Sequence, residues 1–387
     1  MFGFNSHNAL SLSGFKFAFG AMLLFALMGA VGCSDDKDSA HQTKEGASKM
    51  SSKGDSRDSL PNVVILATGG TIAGSVDSQI KTTGYTAGVV GIDTLINAVP
   101  QITQIAHIQG EQLANIDSAD MSDEIWLKLA HRANELLTDK NIDGIVITHG
   151  TDTMEETAFF LHLVLKSDKP VVLVGAMRPS SALSADGPKN LYNAVALASH
   201  PDSKGKGVMV AMNDRIQSAR FVSKIHALNV EAFASPNAGD MGYILDGRVF
   251  FNYSPTYPHT KQSVFDVKDL ESLPRVDILY SYANDGSAVA AKALQQTGAK
   301  GIIIAGTGAG SIHKDHKETL KSLTKEGLII VQSSRVNAGL ILANEADSKE
   351  GFIGAKDLNP QKARVLLMLA LTQSEDFEHI AHLFDIY

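Results

Sequence analysis

The chain repeatedly places a short, unbroken apolar run between segments whose apolar residues recur at helical spacing. Val63-Val64-Ile65-Leu66-Ala67, Gly144-Ile145-Val146-Ile147-Thr148, Val171-Val172-Leu173-Val174 and Gly207-Val208-Met209-Val210-Ala211 are four such runs. A strand with one wet face alternates apolar and polar residues; these runs leave no wet face, so they belong in a sheet covered on both sides. Residues 123–137 and 154–166 carry apolar side chains three and four apart, as covering helices do, and residues 186–199 repeat the pattern more weakly. Strand and helix in alternation predict an α/β fold with a mainly parallel sheet.

Residues 252–274, rich in Ser, Thr, Tyr and Pro, interrupt the pattern and read as a linker. It resumes with Val276-Asp277-Ile278-Leu279-Tyr280, Gly301-Ile302-Ile303-Ile304-Ala305 and Leu328-Ile329-Ile330-Val331. A closing helix is expected from Pro360 to about residue 372, because Asn359 followed by proline is a normal helix start. The expectation is two α/β domains, each a mainly parallel sheet covered by helices: a larger one over residues 61–251 and a smaller one over 275–387.

With 44% hydrophobic residues in 387, the chain has ample material for these cores. Its net charge of −8, without a Lys/Arg cluster, provides no field for a phosphate backbone, which argues against nucleic acid as a partner. The one cysteine, Cys33, rules out an intrachain disulfide and a Cys/His zinc set. Lys16 precedes an apolar stretch, 17–31, that is short for a membrane span but suits a signal peptide. Ala30-Val31-Gly32-Cys33 at its end resembles the lipobox of bacterial lipoproteins, where the cysteine is acylated and becomes the mature N-terminus. An ordinary cleaved signal peptide or a single helical anchor is the alternative. Residues 34–60, mostly polar, read as a disordered tether. The expected protein is periplasmic and touches the membrane only through a lipid on Cys33.

Reactive groups in open parallel sheets gather beyond the carboxyl ends of the strands. One such end is Thr68-Gly69-Gly70-Thr71-Ile72-Ala73-Gly74, and another is His149-Gly150-Thr151-Asp152-Thr153-Met154-Glu155-Glu156. Glycine lets backbone approach a ligand and lifts a threonine hydroxyl to the loop apex, yet a glycine-rich turn alone is common in α/β proteins. The two segments together, about 80 residues apart, resemble the signature segments of bacterial type II L-asparaginases and L-asparaginase/glutaminases. The resemblance extends through VVLVGAMRPSSALSADGPKNLYN (171–193), MNDRIQSARFVSK (212–224), SSRV (333–336) and LNPQKARVLLMLALT (358–372), and so across residues 60–387.

That resemblance implies an amidohydrolase converting L-asparagine and water to L-aspartate and ammonia through a threonine nucleophile and an acyl-enzyme, with L-glutamine as a secondary substrate and without metal or cofactor. Carried over by position, Thr71 matches the nucleophile and Tyr85 the loop tyrosine bonded to it. Thr151, Asp152 and Lys224 match the second catalytic cluster. Ser118 matches a substrate-carboxylate binder, and Thr151 and Asp152 also touch substrate, Asp152 at the α-ammonium. Glu345 matches an acid that reaches the ammonium from a neighbouring subunit, and the resemblance itself implies a homotetramer. A threonine hydroxyl needs a partner to take its proton, either a neutral lysine or a tyrosine or water chain, so residue types leave open which threonine attacks first.

Several features have plainer explanations. His149, flanked by small residues at a strand end, reads as structural. Gly306-Thr307-Gly308-Ala309-Gly310-Ser311 lacks the lysine of a phosphate-binding loop and reads as a subunit-contact or site-lining loop. Met154-Glu155-Glu156 reads as the opening turn of a helix, with acids at its positive end. Two departures from the family bear on substrate. Ala119 stands where many members carry Gln or Glu after the serine, and Ala309 and Ser311 stand where some carry asparagine. They leave asparagine against glutamine unranked and keep a non-catalytic amino-acid-binding protein of the same fold as the alternative. The amidotransferase subunit that shares this domain fits less well, since it is cytosolic and carries an added N-terminal domain.

Overall fold

The computed structural model describes residues 60–84 and 86–387; the leader, the tether with Cys33, and Tyr85 lie outside the described residues. The first apolar run becomes β1 (Asn62–Gly69), buried along almost its whole length. After α1 (Ile92–Asn97), β2 (His107–Ile116) and α2 (Asp123–Thr138) come β3 (Gly144–Thr148), α3 (Met154–Val164), β4 (Val171–Val174), α4 (Gly187–Ala198) and β5 (Val208–Met212). The order β2-β1-β3-β4-β5 is parallel throughout. The third helical pattern is α4 itself, and α3 is shorter than its pattern by two residues, its C-cap being Leu165.

The sheet then turns antiparallel. β6 (Arg215–Ser218), β9 (Gly242–Leu245) and β10 (Arg248–Phe251) extend it to eight strands, while β7 (Ser223–Lys224) and β8 (Phe233–Ala234) form a two-stranded ribbon. The reversals are two-residue turns: Asn213 and Asp214 have φ of 51° and 61°, and Asp246 and Gly247 have 51° and 77°. Asn, Asp and Gly tolerate this left-handed backbone, which matches the twist of a tight hairpin. These strands are too short, and β2 too polar, to register as apolar runs.

The second sheet is β11 (Val276–Tyr280), β12 (Gly301–Gly306), β13 (Ile329–Ser334) and β14 (Phe352–Gly354), all parallel. Its helices are α5 (Ala288–Gln296), α6 (Lys314–Thr324), α7 (Glu345–Lys349), α8 (Pro360–Leu371) and α9 (Phe377–Ile386). Asn359 caps α8 as its sequence predicts, accepting from the Lys362 amide. The chain does not close there: α9 follows, started by Asp376, and buries Ile380, Leu383 and Phe384. The segment read as a linker is also packed, with Phe265 and Val267 buried and the Val264 amide donating to the Tyr387 hydroxyl at 2.8 Å.

One apolar core runs through both sheets, joining Ile145 and Leu173 of the first to Ile303 and Val331 of the second through residues of α3 and α8. α3 packs against β5, α8 against β11 and β12, and the two helices against each other. The molecule is a two-domain α/β protein whose domains share this helical layer, and several candidate site residues, among them Thr151, Asp152 and Asn359, immediately precede α3 and α8 in sequence.

Candidate active site

Three chain segments meet without side chains between them at the carboxyl ends of β1, β2 and β3. Gly69 and Gly70 have φ of 112° and 81°. A Cβ on Gly69 would stand 2.4 Å from the Ile116 carbonyl oxygen, and one on Gly70 would stand 2.3 Å from Cα of Gly150. A Cβ on Gly150 in turn would stand 2.5 Å from Ser118 Oγ. The Gly70 amide donates to the Ile116 carbonyl at 2.9 Å, and the Thr68 hydroxyl donates to the Thr148 carbonyl at 2.9 Å. The backbone-to-backbone packing at Gly69 and Gly70 admits only glycine, and at Gly150 it is the Ser118 side chain that occupies the space.

The consequence is that Thr71, Ser118 and Thr151, from three different loops, lie at one place, with 4%, 3% and 4% of their surfaces exposed. Thr71 opens a short 3₁₀ turn, Thr71–Ala73, directly after the two glycines. Ser118 opens another, Ser118–Asp120, capped by Asp117, whose carboxylate accepts from the Ala119 amide. The Ser118 hydroxyl accepts from the Asp152 amide at 3.2 Å, and its carbonyl accepts from the Thr153 hydroxyl at 2.8 Å. These two bonds fasten the Ser118 loop to the Thr151 loop.

Lys224, on β7, reaches the same place. Its Nζ donates to Thr151 Oγ1 at 2.9 Å and pairs with Asp152 Oδ1 at 2.5 Å. The lysine side chain is mostly buried, while 60% of the Asp152 side chain remains exposed. A carboxylate with one oxygen on a buried lysine and its remainder in solvent is suited to receive a cationic group from outside. Thr71, Ser118, Thr151, Asp152 and Lys224 therefore lie together at one end of the large sheet.

Glu345 stands elsewhere. It is the first residue of α7, its carboxylate is largely exposed, and it pairs with Lys349 one turn on at 2.6 Å. It lines a cavity of about 480 Å³ together with Phe377, Ala381 and Asp385 of α9. Ala309 and Ser311 are exposed on a tight turn closed by the Thr307 and Ser311 backbones, with the Gly308 carbonyl held by the Ser334 hydroxyl at 2.6 Å. Among the described residues no group of three or more His, Cys, Asp and Glu is arranged to hold a metal ion.

Three residues at the site were not singled out for it from sequence. Glu155 has the acidic first-turn position expected of it on α3, but it is buried, and its Oε2 accepts from the Lys224 amide at 2.5 Å. Its Oε1 accepts from Asn359 Nδ2 at 2.8 Å, and Asn359 also donates to the Ser223 hydroxyl at 3.0 Å. A helix-capping asparagine and a first-turn acid look ordinary in sequence; only their meeting across 204 positions makes them part of this site.

His149 is wholly buried, and its Nδ1 lies 2.7 Å from the Gly150 carbonyl, which it meets as a donor when neutral. Burial pushes the ring down to about 4. Because the folded value lies below the unfolded value of about 6.5, the unfolded chain takes up this proton first, and stability falls as pH drops from about 6.5 toward 4. At pH 5 the contribution is on the order of 2 kcal/mol. Melting temperatures of wild type and His149→Asn between pH 7 and 5 will check this: wild type is expected to lose several degrees more than the variant. Parallel curves would show that His149 is not the group responsible.

Comparison with known proteins places this geometry. A family model described as "Asparaginase, N-terminal" matches residues 62–257, and one described as "Glutaminase/Asparaginase C-terminal domain" matches residues 275–384. The chain is 51% identical over 331 residues to L-asparaginase 2 of Escherichia coli (strain K12), covering 85% of this chain and 94% of that protein. It is 51% identical over 328 residues to the glutaminase-asparaginase of Pseudomonas fluorescens biotype A, covering 84% and 90%. The crystal structure of a probable cytoplasmic L-asparaginase from Campylobacter jejuni matches with a TM-score of 0.83 at 63% identity, over 84% of this chain and all of that one. Both family models are matched in order, and the relatives align over nearly their whole length; the chain belongs to the asparaginase/glutaminase family.

Proposed function

We propose that this protein is an L-asparaginase that hydrolyses the side-chain amide of L-asparagine to L-aspartate and ammonia, with Thr71 as the nucleophile. The observation that carries this is the meeting of two buried threonine hydroxyls with a lysine and a half-exposed aspartate at the end of the large sheet. Ser118 already accepts from the Asp152 amide, so its own hydroxyl hydrogen is available to a substrate carboxylate, while Asp152 takes the α-ammonium. In this arrangement Lys224 donates to Thr151 and so turns the Thr151 proton away from itself, toward substrate. That favours Thr71 as first attacker and Thr151 as proton donor to the departing ammonia. Tyr85, assigned through the family's loop tyrosine, would relay the Thr71 proton, accepting it while passing its own hydroxyl proton on to water, and Thr151 would regain from Lys224 or water the proton it gives to ammonia.

In this scheme the Thr71 oxygen bonds to the amide carbon, the carbon–nitrogen bond breaks with ammonia leaving protonated by Thr151, and water then releases aspartate from the ester. Asparagine and glutamine differ by one methylene, usually worth about 1–3 kcal/mol in a pocket. We place asparagine first and glutamine second, in line with relatives named for either activity. Ammonia release by purified full chain, measured on both amides in parallel, tests the proposal. No release from either at millimolar concentration would favour the non-catalytic binder of the same fold.

Ala119 is exposed beside Ser118, and its side chain has no polar atom to offer a substrate. Restoring the family's glutamine by Ala119→Gln is expected to lower KM for asparagine, since one hydrogen bond to a charged group contributes about 1.5–3 kcal/mol. An unchanged KM would point to Asp120 or another neighbour as the replacement. The remaining assignments complete the proposal: domains over residues 61–251 and 275–387, a homotetramer in which Glu345 serves a neighbour's site, and export with a lipid on Cys33. Activity that survives dissociation to monomers would contradict the shared site. Unchanged membrane partition of Cys33→Ser would contradict the anchor.

A further inference from the structure

We propose that Glu155 is a positioning residue for Lys224, oriented by Asn359 from the second domain, and that this bridge sets the rate of the chemical step. The inference rests on Lys224 belonging to the reacting cluster. Lys224 lies on a ribbon of only two residues paired with two, and the chain after it, from Ile225 to Asn229, is exposed. A two-stranded ribbon is marginal by itself, and a lysine side chain has enough rotatable bonds that its ammonium is no better placed than its backbone.

The structure supplies the missing constraint from outside the ribbon. Glu155 is three residues beyond Asp152, on the first turn of α3, and accepts the Lys224 amide. The loop that presents Thr151 and Asp152 thus continues into the group that holds the backbone of the lysine they bind. From the second domain, Asn359 donates to both Glu155 and Ser223. Lys362, buried on α8, donates its Nζ to the Arg220 and Val222 carbonyls, and Arg220 pairs with Asp357 at 2.8 Å. Residues 220–224 are held at successive points by side chains from outside the ribbon, and Glu155 is the one that links this segment to the Thr151 loop.

The donor and acceptor pattern gives a specific test. Both oxygens of Glu155 accept N–H groups, and glutamine has only one oxygen, so Glu155→Gln must set an N–H against either Lys224 or Asn359. Asn359→Asp keeps the helix cap but sets two carboxylates together. The double variant Glu155→Gln/Asn359→Asp inverts the bond between the two positions and leaves net charge unchanged. The introduced amide then donates to the introduced carboxylate and still accepts from the Lys224 amide, while the Ser223 hydroxyl, which donates to Asn337 Oδ1 at 3.1 Å, turns its one proton to the new carboxylate and gives up that bond.

Steady-state kinetics on asparagine with the full chain, and melting temperatures, read the outcome. Each single variant is expected to lower kcat by about 30-fold or more with KM within about threefold, and the double variant to recover to within about threefold of wild type. A kcat for Glu155→Gln within about twofold of wild type, or a double variant no faster than the slower single one, would overturn the proposal. So would single variants that regain wild-type kcat when assayed well below their own melting temperatures, since a merely structural role predicts it. Lys224→Met is the control: wild-type kcat there would remove the lysine itself from the reaction, a failure separate from that of the bridge.

Discussion

Thr71→Ala is expected to lower kcat for asparagine by about 10³- to 10⁵-fold while leaving the melting temperature within a few degrees of wild type. The size of the loss follows from removing a nucleophile for which the other groups cannot substitute; what activity remains comes from binding and from donors that still polarise the amide. The small effect on stability follows from position. Thr71 opens a 3₁₀ turn after two glycines, and alanine fits that backbone while leaving only a small void. Ammonia release and thermal unfolding, measured on the same preparation, check both halves. KM should change little under the proposed scheme, in which Ser118 and Asp152 hold the ends of the substrate. Thr151→Ala is the necessary companion: if it abolishes the first covalent step and Thr71→Ala only slows ammonia departure, the order of the two threonines is the reverse of the one proposed.

Gly70→Ala is expected to be damaging for a different reason. Its φ of 81° is unfavourable for any L side chain, and the added Cβ would stand 2.3 Å from both Cα and N of Gly150. Those are backbone atoms, so no rotamer change relieves the contact, and the loops after β1 and β3 must separate. Left-handed strain and overpacking together should cost about 2–4 kcal/mol of stability. Separating the loops also moves Thr71 away from Thr151, and a displacement near 1 Å is enough to lower kcat/KM by about 10²-fold. Gly205→Ala is the matched control. It has a φ of 73° but nothing within 4 Å of an added Cβ, so it should lose about 1 kcal/mol and no activity. Equal effects from the two substitutions would show that the backbone angle matters and the contact with Gly150 does not.

The parts of the fold that were legible in sequence are those whose burial is two-sided. β1, β3, β4 and β5 of the large sheet and β12 and β13 of the small one are continuous apolar runs buried on both faces, while β11, an edge strand of the small sheet, was legible from its mostly apolar composition although it is only partly buried. β2 was not legible: it is an edge strand, and its exposed Gln109 and Gln112 and half-buried Glu111 break any apolar pattern. The antiparallel extension of β6, β9 and β10 escaped for another reason. Its evidence lies in Asn213-Asp214 and Asp246-Gly247, turn pairs that carry meaning only once flanking strands of four residues are recognised. The packed segment 252–274 resembled a linker because its anchors, Phe265, Val267 and Leu273, are isolated apolar residues without a period.

The site divides in the same way. The alternation of buried strands with helices and the glycine-rich strand ends were legible in the sequence, since each depends on residue type and local spacing, while the threonine, aspartate and lysine positions came from the resemblance to the family. The tertiary structure decided which distant residues share a hydrogen bond. Asp152 pairs with Lys224 across 72 positions, and Glu155 joins Asn359 across 204. No local pattern encodes such partners, because a buried carboxylate is stabilised by whichever N–H groups the packed helices bring within reach, and that depends on how α3 and α8 meet.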